Sequence, residues 1–259
     1  MSTDWKDSDC RNLFLDLLKR SLTDTLFAKE PNVDNPNVAL YFAGFVDHYI
    51  KGRAVTMLPM CRLNNLQSCV ATIIREDIPG DLIETGVWRG GATIFMRGVL
   101  KAYGDQNRTV WVSDSFEGLP EPDKTRFPKE AAFHDGRIMQ QVYRRMAAAL
   151  PQVRANFEAY GLLDSQVQFL KGWFKDTLPT APIEKLALMR LDGDYYESTM
   201  DALTSLYDRL SCGGFVIVDD YGEDAWTNCR QAVDEFRKKR EIQDPLLPVD
   251  SKCYLWRRT

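Results

Sequence analysis

Residues 8 to 28 carry Leu13, Leu15, Leu17, Leu18, Leu22 and Leu26 at mixed three- and four-residue steps. That spacing predicts an amphipathic helix with its apolar stripe turned inward. A break rich in Pro and Asn, EPNVDNPN, follows it. Two further helical stretches, about 37 to 50 and 61 to 76, bracket GRAVTMLPM, where Gly52 and Pro59 mark a connector. From about residue 78 the rhythm changes. Short runs rich in β-branched and aromatic residues, DLIETGV, TVWVSDS, VQFLKGW, KLALMRLDG and GFVIVDDY, recur with helical patterns between most of them. Continuously apolar runs predict strands covered on both faces, and strand-helix alternation predicts a parallel sheet. The expected architecture is an α/β, Rossmann-like, doubly wound and mostly parallel domain over residues 78–259, with residues 1–77 as an N-terminal helical cap or lid. LLPVD and KCYLWRR predict an antiparallel hairpin at one sheet edge.

Composition narrows the function classes. With 44% hydrophobic and 27% charged residues, a 259-residue chain can bury a sizeable core in one domain. A formal charge of -4 supplies no basic stripe for phosphate backbones or anionic lipid, so neither nucleic acid nor membrane is an expected partner. No apolar run approaches the roughly 20 residues of a membrane helix, and MSTDWKDSDC lacks the basic-then-apolar pattern of a signal peptide. A cytoplasmic location is expected. The six cysteines are scattered without CxxC spacing, which argues against zinc and against a disulfide framework.

In a doubly wound sheet, ligands bind outside the carboxyl ends of the strands, so the residues just after each apolar run are the informative ones. The first run ends ETGVWRGGATIF. Gly86, Gly90 and Gly91 permit a tight turn with close backbone approach, and a helix beginning near Gly91 offers free N–H groups. The spacing departs from the dinucleotide fingerprint, because Trp88 and Arg89 stand where a diphosphate would need open backbone. Glu84, with Thr85 beside it, would repel a diphosphate but can accept hydrogen bonds from an ammonium group. Asp114, followed by Ser115, lies about 24 residues beyond Gly90 and is placed to accept both hydroxyls of a ribose, with a turn or helix cap as the bland alternative. In FLKGWFKDT, Gly172 allows close approach and Trp173 can pack on an adenine face or simply in the core. Together these positions favour a cationic or zwitterionic adenosine ligand.

The fourth run releases Asp192 and Asp194 at its carboxyl end, and the fifth releases Asp219 and Asp220. Four carboxylates on one rim repel unless some are protonated, paired with a cation or bound to a metal. With His48 and His134 as the only histidines, an all-oxygen site for a hard ion such as Mg²⁺ is the natural solution. Asp192, Asp219 and Asp220 are the expected ligands, which leaves Asp194 free to take a proton. The competing arrangement has Asp194 capping a helix that begins near Ser198 and Asp219 paired with Arg190 or Arg230. A cationic adenosine ligand beside such a cluster suggests S-adenosylmethionine donating a methyl group to an oxygen nucleophile. A glycosyltransferase using a metal and a sugar nucleotide accounts for one acidic pair but not for both, and a non-catalytic adenosine-binding protein accounts for the fold alone.

LNNLQSCV, PGDLIETGVWRGGATIFMRGVLKAYG, RTVWVSDSFEGLP, NFEAYGLLDSQVQFLKGWFKDTLPTAP and LDGDYYESTMDALTSLYDRLSCGGFVIVDDY resemble the macrocin O-methyltransferase family of antibiotic-sugar methyltransferases, over about residues 61 to 235. The resemblance implies a class I S-adenosylmethionine-dependent methyltransferase fold and Mg²⁺-dependent methylation of a hydroxyl on a deoxysugar of a natural-product glycoside. A non-sugar small-molecule hydroxyl is the alternative acceptor. It also implies metal ligation by Asp192, Asp219 and Asp220, with Asp192 also at the cofactor. Thr56, Met57 and Met60 of the connector join Thr85, Trp88, Arg89 and Ser115 as further expected cofactor contacts. Two bases are in competition, Asp194 and His134 of FHDGR. Residues 121 to 150 and the first 55 residues depart from the family pattern, and assembly as a homo-oligomer is expected.

Overall fold

The computed structural model describes residues 7–27, 44, 46–136, 140, 143–144, 147–222 and 227–259. The first helix, α1 (Asp7–Leu22), buries Leu15, Leu18 and Leu22 but ends well before the residue 28 that the leucine spacing predicts. The cause is at its carboxyl end. The Leu22 carbonyl accepts the N–H groups of Val55 at 2.8 Å and Thr56 at 3.2 Å, and Asp24 turns the chain with φ 56°. Leu13, Leu17 and Leu26 are left 50%, 49% and 43% exposed, so three of the six leucines are not part of the buried stripe. Most of the predicted helix over 37 to 50 falls outside the described residues, and Val46–Ile50 forms a single π-type turn. The predicted helix over 61 to 76 is α2 (Met60–Arg75), which buries Leu63, Leu66, Cys69, Val70 and Ile73 on one face.

The remainder alternates as β1 (Asp81–Thr85), α3 (Gly91–Ala102), β2 (Val110–Asp114), α4 (Pro128–His134), α5 (Leu150–Ala159), β3 (Val167–Lys171), α6 (Phe174–Thr177), β4 (Leu186–Leu191), α7 (Tyr196–Leu206), β5 (Leu210–Val218), α8 (Thr227–Lys239), β6 (Leu247–Pro248) and β7 (Tyr254–Arg257). One seven-stranded sheet runs in the order β3-β2-β1-β4-β5-β7-β6. The pairs among β1 to β5 are parallel, whereas β7 runs antiparallel to both β5 and β6. The carboxyl ends of β1, β2, β4 and β5 therefore share one rim, and the strand order reverses between β1 and β4, where open α/β sheets hold ligands.

Both faces of the sheet are covered. On one side Leu15, Leu18, Leu63, Leu66, Phe95, Val99 and Phe157 of α1, α2, α3 and α5 pack on Leu82, Val112 and Leu188. On the other, Ala202, Leu203, Val233 and Phe236 of α7 and α8 pack on Ile83, Met189 and Val216. All six residues of β4 are buried, as a double-sided strand requires. One of them, Arg190, carries a charge and is 1% exposed. A buried arginine in the central strand needs acidic partners, and these lie at the rim. None of the six cysteines is disulfide-bonded. Among the described residues, no helix is long and apolar enough to cross a membrane.

Candidate active site

Register creates the site. Glu84 of β1 is the Cα partner of Arg190 of β4, and the Arg190 guanidinium donates from Nη1 to Glu84 and to Asp192 Oδ2 at 2.7 Å, and from Nη2 to Asp219. A second guanidinium arrives from α2. Arg62 donates from Nη1 to Asp219 Oδ2 at 2.7 Å, and from Nε and Nη2 to Asp250 at 2.6 and 3.1 Å. Asp250 is fixed in turn by the N–H groups of Lys252 and Cys253 at the turn between β6 and β7. The tips of β1, β4 and β5 and the terminal hairpin are thus joined by two arginines.

Carboxylates outnumber those arginines. Asp192, Asp219 and Asp220 each offer an oxygen, all within 4.8 Å of one another. Asp220 Oδ2 is buried and accepts no hydrogen bond. Burial, followed by the charges of Asp194, Asp192 and Asp219, drives the Asp220 pKa well above the usual carboxylate range. Burial and the Asp219 charge push Asp192 up to about 6. Glu84 rises to about 8, chiefly through burial, although Arg190 draws it down. Each direction reports negative charge held away from water with too little positive charge beside it. An oxygen-only donor set with one buried oxygen unpartnered fits a hard divalent cation. Asp219 is also the arginine partner of the competing sequence arrangement, through Arg190 rather than Arg230, whose Nε donates instead to the Tyr221 carbonyl. Helix α7 begins at Tyr196, ahead of Ser198, with Tyr195 at its N-cap and no side-chain cap bond at that position.

The turn after β1 forms the neighbouring wall. Gly86 has φ 89°, and a Cβ there would stand 1.9 Å from the Asp192 carbonyl oxygen, so glycine is what lets the tips of β1 and β4 close on each other. Asp114 braces this turn, accepting the Val87 N–H on Oδ2 and the Phe116 N–H on Oδ1, each at 2.7 Å. Its pKa is raised by burial against the pull of those N–H groups.

A cleft opens along the rim. Of the sequence-predicted residues, Met57, Gly86, Trp88, Asp114, Ser115, Trp173, Asp192 and Asp194 line it. Others stand behind that surface. Glu84 is held on Arg190, Thr85 is buried at the strand end, and the Thr56 hydroxyl accepts the Leu58 N–H at 3.1 Å. Gly90 and Gly91 form the start of α3, Gly172 precedes Trp173 with φ 139°, and Met60 begins α2. Arg89 points away from the cleft, into the connector at residues 50–54. Asp219 and Asp220 close the rim beside Asp192.

His134, at the end of α4, stacks on Tyr143 with ring centroids 5.5 Å apart and meets Tyr195 edge-on at 6.3 Å. It belongs to an aromatic group beside the cleft, which Tyr143 lines. Sequence reasoning named His134 but missed Tyr143 and Tyr195, and it also missed Arg62, Asp250 and Glu130. Glu130, 5% exposed in α4, faces the Tyr196 N–H and the Asn228 side chain, and its Oε1 is buried with no hydrogen-bond partner. Apart from Tyr195, which follows Asp194 after β4, these residues lie outside the strand-end motifs, so spacing along the chain carries no signal for them.

Comparison with known proteins locates this arrangement. A family model described as Macrocin-O-methyltransferase (TylF) matches residues 43–258. The chain belongs to the macrocin O-methyltransferase family. Three relatives bear on it. It is 50% identical to 8-demethyl-8-(2,3-dimethoxy-alpha-L-rhamnosyl)-tetracenomycin-C 4'-O-methyltransferase of Streptomyces olivaceus, covering 97% of this chain and 94% of that one. It is 46% identical to mycinamicin III 3''-O-methyltransferase of Micromonospora griseorubida, covering 95% and 96%. The solved structure of the O-methyltransferase NovP superposes with a TM-score of 0.83 at 41% identity, over 96% of this chain and 99% of that one. The fold is that of the class I S-adenosylmethionine-dependent methyltransferases, and this member of the macrocin O-methyltransferase family is an O-methyltransferase.

Proposed function

We propose that the protein transfers the methyl group of S-adenosylmethionine to a hydroxyl of a sugar carried by a natural-product glycoside, with Mg²⁺ held by Asp192, Asp219 and Asp220. The observation that carries this reading is the placement of those three carboxylates within 4.8 Å of one another at the edge of a cleft that Asp194 also lines. Relatives named for methylation of a rhamnosyl tetracenomycin and of mycinamicin III supply the acceptor class. When bound, the divalent ion would lower the acidity barrier of a sugar hydroxyl, whose pKa resembles the ~15.7 of water.

The chain's own residues do the rest. The turn at Gly86 to Gly91, braced by Asp114, receives the adenosine portion, with Trp173 across the cleft from it. The buried, unpartnered Oε2 of Glu84 gives a charge-assisted acceptor close behind the cofactor's amino acid portion. The segment before β1 serves as a cap that excludes water through Met57. Asp194 accepts the hydroxyl proton as the oxygen–methyl bond forms and the carbon–sulfur bond breaks, which leaves S-adenosylhomocysteine and a methyl ether. Calorimetry with S-adenosylhomocysteine, with and without Mg²⁺, followed by turnover on a panel of O-demethyl glycosides, tests the reading. Binding of the cofactor product together with chelator-sensitive methylation supports it. A preference for sugar nucleotides, or cofactor binding without transfer to any glycoside, overturns it.

A further inference from the structure

Arg89 belongs to the cofactor turn by sequence, yet its side chain serves another segment. Nη1 donates to the carbonyl oxygens of Ala54 at 2.8 Å and Gly52 at 3.3 Å, and Nη2 donates to that of Ile50 at 3.4 Å. Three carbonyls within five residues converge on one cation, which gathers the end of the π-type turn into a fixed loop. The same guanidinium lies over the Trp88 ring at 4.4 Å from its centroid. Trp88 has φ 48°, a conformation that a non-glycine residue holds only when its surroundings enforce it. A second tie runs in parallel. The Gly91 N–H donates to the Val55 carbonyl at 3.1 Å, and a Cβ at Gly91 would meet Thr56 Cβ at 2.5 Å.

These contacts connect two walls of one cleft. Trp88 lines it from the turn after β1, and Met57 lines it from the connector. Arg89 touches both elements, stacking on Trp88 and binding the backbone that leads to Met57. Val55 and Thr56 extend the chain of contacts to the Leu22 carbonyl at the end of α1.

We propose that Arg89 is a positioning residue that couples occupancy of the cofactor cleft to docking of the connector over residues 50–57. The proposal rests on the reading that the cleft takes S-adenosylmethionine. A ligand that settles Trp88 favours the docked connector through Arg89, and by reciprocity a docked connector raises affinity for that ligand. The docked connector holds Met57 at the cleft, and an occupied cleft makes that arrangement the more stable one before the acceptor reacts.

Lys51 and Arg53 are exposed in the connector and make it a tryptic reporter. Limited trypsin cleavage at these two positions is followed with and without S-adenosylhomocysteine in the full chain and in Arg89→Met and Arg89→Lys, with ligand affinity measured by calorimetry. In the unaltered protein the ligand slows cleavage. Arg89→Met loses that ligand-dependent protection and binds about tenfold more weakly, within the usual range of coupling between sites. Arg89→Lys, which keeps the charge with fewer directed donors, gives an intermediate protection ratio and carries the comparison if the methionine variant does not fold. Because the ratio is read against each variant's own unliganded rate, a merely looser connector does not produce the result. Unchanged affinity and unchanged protection in both variants overturn this inference alone. Failure of S-adenosylhomocysteine to bind the unaltered protein overturns the reading of the cleft as well.

Discussion

Arg190 stands in register with Glu84 on adjacent parallel strands and binds it at the centre of the sheet, with both side chains 2% exposed or less. The same guanidinium reaches Asp192 and Asp219, so three carboxylates share one buried cation, with Arg62 as a second partner for Asp219. Removing a partner from such a group leaves charge stranded in a poorly solvated interior. Arg190→Met is expected to cost roughly 3–5 kcal/mol of folding stability, the range for breaking a buried pair from one side. Adding Glu84→Gln removes one stranded charge and restores part of that loss. Urea denaturation midpoints of the single and double variants check this, and a double variant no more stable than Arg190→Met refutes it.

Asp114 connects the cofactor turn to the end of β2 through its bonds to Val87 and Phe116. It also lines the cleft, at the position proposed for a ribose. Asp114→Ala removes a charge-assisted acceptor worth about 1.5–3 kcal/mol, so affinity for S-adenosylhomocysteine falls by roughly 10- to 150-fold. Calorimetry measures this directly, and an unchanged dissociation constant rules the ribose assignment out.

Asp220 is a cleaner probe of the metal reading than Asp219, because Asp219 also holds Arg62 and Arg190. Asp220→Asn keeps the shape and lowers the anionic charge beside Asp192 and Asp194. Mg²⁺ binding is expected to weaken at least tenfold while S-adenosylhomocysteine binding without metal stays within about twofold. Titration of each ligand separately distinguishes the two effects. Equal loss of both would show that Asp220 supports the cleft generally rather than an ion.

The sheet was legible in the sequence because parallel strands covered on both faces must be continuously apolar, and KLALMRL and GFVIV say so residue by residue. Strand-end chemistry followed from the topology, since the last apolar position fixes which residue reaches the rim. That rule gave Asp192, Asp194, Asp219 and Asp220 without coordinates. It failed where a contact depends on tertiary direction. Arg89 lies two residues from Gly91, but nothing local indicates that its side chain turns back to carbonyls at residues 50–54. Arg62 and Asp250 meet across 188 residues of sequence. Helix α1 stops at Leu22 because distant N–H groups take its last carbonyl, a competition that the leucine stripe does not encode.

Glu130 of α4 faces the amino ends of α7 and α8 and is pushed up to about 7, mainly by burial, with Glu197 adding repulsion. A carboxyl whose folded pKa lies above its ordinary 4.5 favours the folded state when protonated. Its contribution is therefore complete below about 4.5 and is lost as pH rises through about 7. At 1.36 kcal/mol per pKa unit, the loss is at most about 3 kcal/mol. Glu130→Gln cannot titrate, so the stability difference between pH 5 and pH 8 shrinks in the variant. Urea midpoints at those two values decide it, and identical pH dependence with and without the carboxyl contradicts the assignment.

The two candidate bases differ in what surrounds them. Asp194 lines the cleft beside Asp192, and its φ of 60° places it on a sharp turn directly after the β4 tip. His134 lies against Tyr143 and Tyr195, packed flat and edge-on, an arrangement suited to shaping the cleft wall that Tyr143 forms. A general base contributes roughly 10²- to 10⁴-fold to rate. Asp194→Asn is thus expected to lower kcat by that range, with KM for S-adenosylmethionine within about threefold of the unaltered enzyme, because the amide keeps the volume but cannot take the proton. His134→Gln is expected to raise KM for the glycoside more than it lowers kcat, since it removes an aromatic contact rather than the proton acceptor. Steady-state kinetics on both variants with one glycoside separate the roles. The reverse pattern, with kcat lost at His134 and preserved at Asp194, would transfer the base to the histidine.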